Sequence, residues 1–321
     1  MHIPENYLSP STCAVMGAAM LPVWYRATTN IKKTVKPEKM AMIGVGAAYS
    51  FVAMMFNIPI AGGSSGHAIG GTLLAILLGP DAACIAVSVA LLIQAVLFGD
   101  GGILAFGANC FNMAFVLPYA GYFLYRLFTK GTEKNSRKLV SAFISSYIAI
   151  NLAALCAAVE FGIQPILFHD AAGNALYCPY DLSISVPAML MEHLTLFGIV
   201  EGVFTSGVLA YLFRTQPHLV DEKHESNRPV FILLALLIAL VPLGLIAQGT
   251  AWGEWDISEI ASATGYAPAG MKNGFSFASL LPDYSFQGLP EVAGYYLSAV
   301  IGTGLLIIIF RLSSMKFRKK Y

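Results

Sequence analysis

The run Pro229-Val-Phe-Ile-Leu-Leu-Ala-Leu-Leu-Ile-Ala-Leu-Val-Pro-Leu-Gly-Leu-Ile-Ala-Gln248 contains no charged residue. A helix needs about 20 predominantly apolar residues to cross the hydrocarbon core of a bilayer, and this run has that length. Backbone N–H and C=O groups within lipid must find partners inside the protein, and a helix meets that demand along its own length. The run therefore predicts a membrane-spanning helix and places the chain among helical membrane proteins.

The rest of the chain repeats this pattern. Hydrophobic residues make up 57% of its 321 residues and charged residues only 12%, which is more apolar surface than a soluble fold of this size can cover. The alternation of a β-barrel is absent. We therefore expect an all-α integral membrane protein, a polytopic helical bundle with about nine passes. The predicted spans are residues 11–27, 38–60, 67–79, 82–98, 103–128, 137–166, 183–214, 229–248 and 293–312.

The run at residues 67–79 is too short to cross a bilayer alone. It is expected either to tilt into a break at Gly79-Pro80 or to enter the membrane only in part.

Lysine and arginine predict the orientation. With the N-terminus outside, nine passes place all of the 19 basic residues except Lys272 in inner segments, as the positive-inside rule requires. The stretch from Met1 to Pro10 contains Glu5 and no basic region, so a cleavable signal peptide is not expected. We expect a multi-pass protein of the cytoplasmic membrane with its N-terminus outside and its C-terminus inside.

Two histidines are expected on the outer side. The imidazole Nδ1 of His2, its amide nitrogen and the amine of Met1 can close two chelate rings around one metal ion. His67, in the glycine-rich segment 62–71, could supply the fourth nitrogen, giving the tetragonal geometry that suits Ni(II) or Cu(II). The alternative is that His2 is a chance residue and His67 a loop histidine whose hydrogen bonds are satisfied.

Five further stretches occur in a particular order: Met1-His2-Ile3-Pro4, Gly66-His67-Ala68-Ile69-Gly70-Gly71, Leu77-Leu78-Gly79-Pro80, Gly99-Asp100-Gly101-Gly102 and Gly107-Ala108-Asn109-x-x-Asn112-Met113. With these motifs the chain resembles the CbiM/NikM family. Members of that family are the substrate-binding membrane (S) components of energy-coupling factor (ECF) importers for cobalt and nickel. The resemblance extends over roughly residues 1–210, in which Glu192-His193 and Glu201-Gly202 resemble the family's last core helix.

The resemblance implies that Met1, His2 and His67 bind the ion and that Asn109 belongs to a polar layer supporting them. Co(II) or Ni(II) would be the transported substrate. The chain has Pro4-Glu5-Asn6 where the family often has Pro-Asp-Gly, which changes the turn after the chelate but none of the ligands.

The chain contains no nucleotide-binding motif. We therefore expect a transport subunit that is not an enzyme and that depends on a scaffold membrane (T) subunit and ATP-binding (A) subunits. No patch for nucleic acid is apparent. The alternative is an autonomous, proton-coupled metal permease with Glu201 and His193 as proton carriers. The four-nitrogen chelate favours the first function, because a permease has to release its ion readily in both directions.

Composition divides the chain into three parts. Residues 1–214 form a metal-binding core of about seven helices, 215–228 a polar cytoplasmic linker, and 229–321 an auxiliary two-span region whose external loop is 249–292. That loop is acidic, which is typical either of a cap that attracts divalent cations or of an ordinary solvated loop. The region resembles the fused auxiliary domain of some family members, but it has Leu281-Pro282-Asp283-Tyr284-Ser285 where a Pro-Asp-Gly-Leu-Glu stretch would be expected.

Ionisable residues within apolar runs are costly and are therefore candidates for function. Glu201 is expected either to pair across helices or to assist ion passage. Glu160, Glu192 and His193 are expected near the outer interface, within reach of water, and Asp81 and Asp100 at helix ends without special chemistry.

Small residues and cysteines leave two further questions. Ala14-x-x-x-Ala18, with Gly17, could form the face that meets the scaffold subunit, or could pack within the bundle. Cys13 and Cys178 could form one disulfide.

Overall fold

The computed structural model describes residues 1–34, 37–60, 64–215, 228–247 and 249–318, and these are almost entirely helical. The first seven α-helices are α1 (Pro10–Thr34), α2 (Pro37–Met54), α3 (Gly71–Leu78), α4 (Pro80–Ile93), α5 (Phe106–Asn109), α6 (Leu117–Phe128) and α7 (Asn135–Gly162). The next seven are α8 (Gln164–Leu167), α9 (Leu182–Glu192), α10 (Gly198–Thr215), α11 (Arg228–Leu240), α12 (Ile257–Thr264), α13 (Ala269–Lys272) and α14 (Glu291–Arg318).

Three π-helical turns lengthen these helices. The segments Gln94–Phe98, Cys110–Val116 and His193–Phe197 continue α4, join α5 to α6 and join α9 to α10. In the described part of the chain, five helical segments are long and apolar enough to cross a membrane: Pro80–Phe98, Asn135–Leu167, Leu182–Thr215, Arg228–Ile246 and Glu291–Met315. Each of the nine apolar runs contains a helix. The predicted fold class, a polytopic helical membrane protein, is therefore confirmed, while the number of passes stays a prediction.

The chain between α2 and α3 differs from the prediction. Helix α2 ends at Met54, and Ile58–Ile60 (β1) pairs antiparallel with Ser64–Gly66 (β2) in a short hairpin. Residues 67–70 lie outside any helix, and α3 begins only at Gly71. The hydropathy of the apolar runs 38–60 and 67–79 did not predict this hairpin. An average of hydropathy does not show that Pro59 is unfavourable in the interior of a helix. Gly62 and Gly63 of the predicted loop lie outside the described residues.

The C-terminal helices pack directly on the core. Helix α14 lies along α2, where a Cβ on Gly44 would be 2.8 Å from the Cβ of Phe310. The Tyr295 hydroxyl of α14 donates to the carbonyl of Met55, 2.6 Å away. The predicted division into core, linker and auxiliary region stays a prediction, because residues 216–227 of the linker lie outside the described residues.

All five cysteines are free. The thiol of Cys13 is buried against the carbonyl of Leu8, and Cys178, whose N–H donates to the carbonyl of Tyr7, is buried as well. The disulfide between these two residues, considered from the sequence, is therefore not formed.

Candidate metal centre at the N-terminus

The first three residues of the chain are buried inside the bundle. Ile3 is held on both sides of its backbone by the side-chain amide of Asn109, which accepts from the Ile3 N–H at 2.7 Å and donates to its carbonyl at 3.1 Å. Gly102 N–H donates to the same carbonyl at 2.8 Å. Asn109 thus pairs with the N-terminal segment as a neighbouring strand would, and fixes the position of His2 beside it.

The Gly99-Asp100-Gly101-Gly102 motif forms a cradle for this segment. A Cβ on Gly102 would lie 2.8 Å from the backbone nitrogen of Glu5. Only glycine therefore allows these two segments of the backbone to approach so closely. The Glu5 carboxylate in turn accepts from the N–H groups of Ile103 and Leu104. Glu5 therefore ties the N-terminal turn to the segment that precedes α5.

His2 and His67 come together, as the sequence predicted. Nδ1 of His2 lies 3.3 Å from Nε2 of His67, and the ring centroids are 5.1 Å apart. Since a metal–nitrogen bond to histidine is about 2.0–2.1 Å long, both nitrogens can contact one ion. The side chains of both residues are buried.

The environment of His67 suits a neutral ligand. Its Nδ1 lies 3.2 Å from the carbonyl of Ala68, and a proton held there leaves the lone pair of Nε2 facing His2. Burial, with added repulsion from His2 and the terminal amine, lowers the pKa of His67 well below its usual value. Burial and this repulsion favour the neutral imidazole, whose Nε2 can donate to a metal.

The amine of Met1 has a partner from the far end of the chain. It lies 3.1 Å from Oε1 of Glu254, in the segment 249–292 that the sequence predicts to lie outside. The acidic composition of that segment left open whether it is a cap that attracts cations or a solvated loop, and in the structure one of its acidic residues reaches the candidate site. Asp256 and Glu259 of the same segment instead form the capping box of α12.

Asp100 is a residue of the site that sequence reasoning missed. Its Oδ1 lies 3.3 Å from Nδ1 of His2, a contact that the interpretation of Asp100 as an ordinary helix-end residue did not include. Oδ2 accepts from the Tyr284 hydroxyl and from Nε2 of Gln94. The signal was present in the sequence, since Asp100 is the one side chain with a charge in the glycine-rich cradle.

Glu201 has a structural position. It is completely buried in α10, and its carboxylate accepts from the N–H groups of Ile69 and Gly70, two and three residues after His67. Of the two interpretations of Glu201, pairing within the bundle is the one this geometry fits. Its partners are backbone groups of a loop and not a side chain of another helix.

The expectation that water reaches Glu160, Glu192 and His193 is wrong, because all three are buried. Glu160 turns into the bundle and accepts from Nδ2 of Asn112 at 2.8 Å, and His193 Nδ1 lies 2.8 Å from the carbonyl of Met189. Near the candidate site the hairpin contacts the C-terminal segment, where Ser65 donates to the carbonyl of Gly249.

Side chains alone do not form a metal cluster in the described part of the chain. No group of three or more His, Cys, Asp or Glu side chains there is arranged to hold an ion. The candidate centre therefore depends on main-chain nitrogens at Met1 and His2 in addition to the two imidazoles.

Comparisons with known proteins agree with this architecture. Residues 2–219 match the family model CbiM, "cobalt uptake substrate-specific transmembrane region", and residues 228–319 match the PDGLE domain. The second match holds although the chain departs from the Pro-Asp-Gly-Leu-Glu stretch.

Relatives of similar length match along nearly the whole chain. The "probable fused nickel transport protein LarMN" of Lactiplantibacillus plantarum is 48% identical over 97% of each chain. The "fused nickel transport protein NikMN" of Rhodobacter capsulatus is 46% identical over 96% of this chain and 95% of that one. A crystal structure of a transition metal transporter, 50% identical, covers 75% of this chain and 99% of its own with a TM-score of 0.64. The chain therefore belongs to the CbiM family, carries a C-terminal PDGLE domain, and is a membrane component of metal transport.

Proposed function

We propose that this chain is the substrate-binding subunit of an ATP-driven, ECF-type importer of nickel or cobalt. The ion is captured from outside by the Met1 amine, the amide nitrogen and Nδ1 of His2, and Nε2 of His67. The observation that carries the proposal is the 3.3 Å separation of the two ring nitrogens in a buried site at the N-terminus.

The donor set selects the kind of ion. Four nitrogens suit a tetragonal Ni(II) site, whereas Mg(II), Ca(II) and Mn(II) prefer oxygen. Relatives named as nickel transport proteins match 96–97% of the chain. Those named "cobalt transport protein CbiM" match 40–64% of it. Nickel is therefore the preferred ion of this proposal, and cobalt the second.

Energy has to come from partner subunits. The sequence has no nucleotide-binding motif, so a scaffold T subunit and ATP-binding A subunits would drive transport. Ala14 and Ala18 of α1 are exposed, and small residues allow the close helix contact that such a scaffold requires. The terminal amine and His67 would face outwards, as the distribution of Lys and Arg predicts.

Transport into proteoliposomes tests the proposal. The chain alone should bind Ni(II) but accumulate none, and co-reconstitution with its scaffold and ATPase subunits should give uptake that depends on ATP. Vesicles with the subunits but without ATP are the control. Robust uptake by the chain alone, driven by a proton gradient, would instead identify an autonomous permease.

A further inference from the structure

Asp100 lies against the candidate ligand His2. Its Oδ1 is 3.3 Å from His2 Nδ1, the same separation that joins Nδ1 to His67. In the described part of the chain, His2 Nε2 is buried without a hydrogen-bond partner. The polar contacts of the imidazole are therefore concentrated on Nδ1, between a second imidazole and a carboxylate.

The carboxylate is fixed by a residue from the C-terminal region. The hydroxyl of Tyr284, 184 positions along the chain, donates to Oδ2 at 2.5 Å. Gln94 donates to the same oxygen at 3.2 Å and to the Tyr284 hydroxyl at 3.0 Å. With Oδ2 occupied by two donors, Oδ1 is left pointing at His2.

Tyr284 is itself held firmly in place. Its ring stacks on Phe98 with centroids 4.7 Å apart, and its carbonyl accepts from Ser298 at 2.9 Å. Asp283 and Tyr284 have φ angles of 52° and 58°, a left-handed conformation that non-glycine residues rarely adopt. Such strain persists where surrounding contacts impose it, often at functional sites.

We propose that Asp100 stabilises the cation bound beside His2 and that Tyr284 is a positioning residue which holds Asp100 there. This inference rests on the proposed function of the N-terminal site. A carboxylate this close to the buried imidazole of His2, and itself only partly exposed, attracts a divalent cation more strongly than it would in bulk solvent. The C-terminal region would thus contribute to ion affinity through Tyr284.

A double-mutant cycle on the full-length protein tests the proposal, with Ni(II) and Co(II) chloride titrated calorimetrically. Asp100→Asn keeps the shape of the side chain and removes its charge, and should weaken Ni(II) binding by at least about tenfold. Tyr284→Phe keeps the stacked ring and should weaken it by about three- to tenfold. Because Tyr284 acts through Asp100, the double variant should bind as the Asp100→Asn variant does.

Tyr295→Phe is the matched control. Its hydroxyl is also buried and its ring contacts Tyr284, but it donates to the carbonyl of Met55. A purely structural role of these tyrosines predicts equal effects of the two substitutions, whereas the proposal predicts that Tyr295→Phe leaves ion affinity within about twofold of the parent.

Three results would overturn the inference: an unchanged affinity of Asp100→Asn, an unchanged affinity of Tyr284→Phe, or effects of the two substitutions that multiply. If Asp100→Asn does not yield folded protein, the comparison of Tyr284→Phe with Tyr295→Phe decides alone. His67→Ala separates this inference from the proposed function. Loss of binding in His67→Ala together with full binding in Asp100→Asn would refute only the role of Asp100. A parent protein that binds neither Ni(II) nor Co(II) would refute both the role of Asp100 and the proposed function.

Discussion

Glu201 is a buried carboxylate that affects the geometry of the candidate site without contacting its proposed ligands. Its two carboxylate oxygens accept from the N–H groups of Ile69 and Gly70 at 2.8–3.1 Å. Those groups precede α3, where backbone donors at a helix start lack partners within the helix. Because His67 is two residues from Ile69, the carboxylate also sets the path of the segment that carries a candidate ligand.

Replacing Glu201 with alanine should lower stability. The substitution leaves two buried N–H donors without acceptors, at a cost of about 1–3 kcal/mol each, so the thermal midpoint of the purified protein should fall. Glu133→Ala is the control, because Glu133 is exposed and pairs only with Lys138 at the surface. Equal midpoints for Glu201→Ala and the parent would remove the structural role and revive a role in ion passage.

At the scale of elements, α1 meets α5 through two glycines. A Cβ on Gly107 would lie 2.5 Å from the Cα of Gly17, whereas a Cβ on Gly17 would meet nothing within 4 Å. Ala14 and Ala18 remain exposed on α1. Gly17 therefore belongs to packing within the bundle, and the open face proposed for the scaffold subunit is formed by the two alanines.

The asymmetry of this contact gives a matched pair of substitutions. Gly107→Ala should force α1 and α5 apart and lower the thermal midpoint, because overpacking typically costs about 1–3 kcal/mol. Gly17→Ala should leave the midpoint unchanged or raise it slightly, since alanine favours a helix. Thermal unfolding in detergent measures both, and the account of this contact fails if Gly17→Ala proves the more destabilising of the two.

The apolar runs predicted that the helices exist, because the length of an apolar run can be read directly from the sequence. They did not predict where α2 ends, because Ile58-Pro59-Ile60 is as apolar as a helix and yet forms a strand. The sequence motifs predicted that Met1, His2, His67 and Asn109 belong to one site. They did not predict the contacts of Glu254 and Asp100 with the N-terminus, which join residues 253 and 98 positions apart. Asp100 lies within a quoted motif, but Glu254 lies in none, so no motif pointed to its contact with Met1.

At the scale of the whole molecule, the candidate site is assembled from three distant parts of the chain. The N-terminus supplies Met1 and His2, the core supplies His67 and Asn109, and the C-terminal region supplies Glu254. Two serines of the hairpin bind the same C-terminal segment, Ser64 through Trp252 and Ser65 through Gly249. The PDGLE domain is therefore in contact with the site on the side that the proposed orientation places outside.

Thiol labelling tests that orientation. Leu280 is 75% exposed in the segment proposed to lie outside, and Lys130 is exposed in the connection between α6 and α7, proposed to lie inside. A membrane-impermeant maleimide should label Leu280→Cys in intact cells and Lys130→Cys only after permeabilisation. The parent protein is the control, because its cysteines are buried or half-buried. The reverse pattern would invert the proposed topology.

The central claim is that the free amine of Met1 is a metal ligand. A peptide fused before Met1 converts that amine into an amide and displaces it, although every side chain of the site is retained. The same peptide fused after Tyr321 leaves the amine free and serves as the control. The peptide must contain no histidine and must remain uncleaved.

Calorimetric titration of Ni(II) into these two proteins is the most direct measurement. We expect the N-terminal fusion to bind Ni(II) at least about a hundredfold more weakly than the C-terminal fusion, a difference of about 2.7 kcal/mol. Affinities that agree within about tenfold would contradict a site built on the terminal amine.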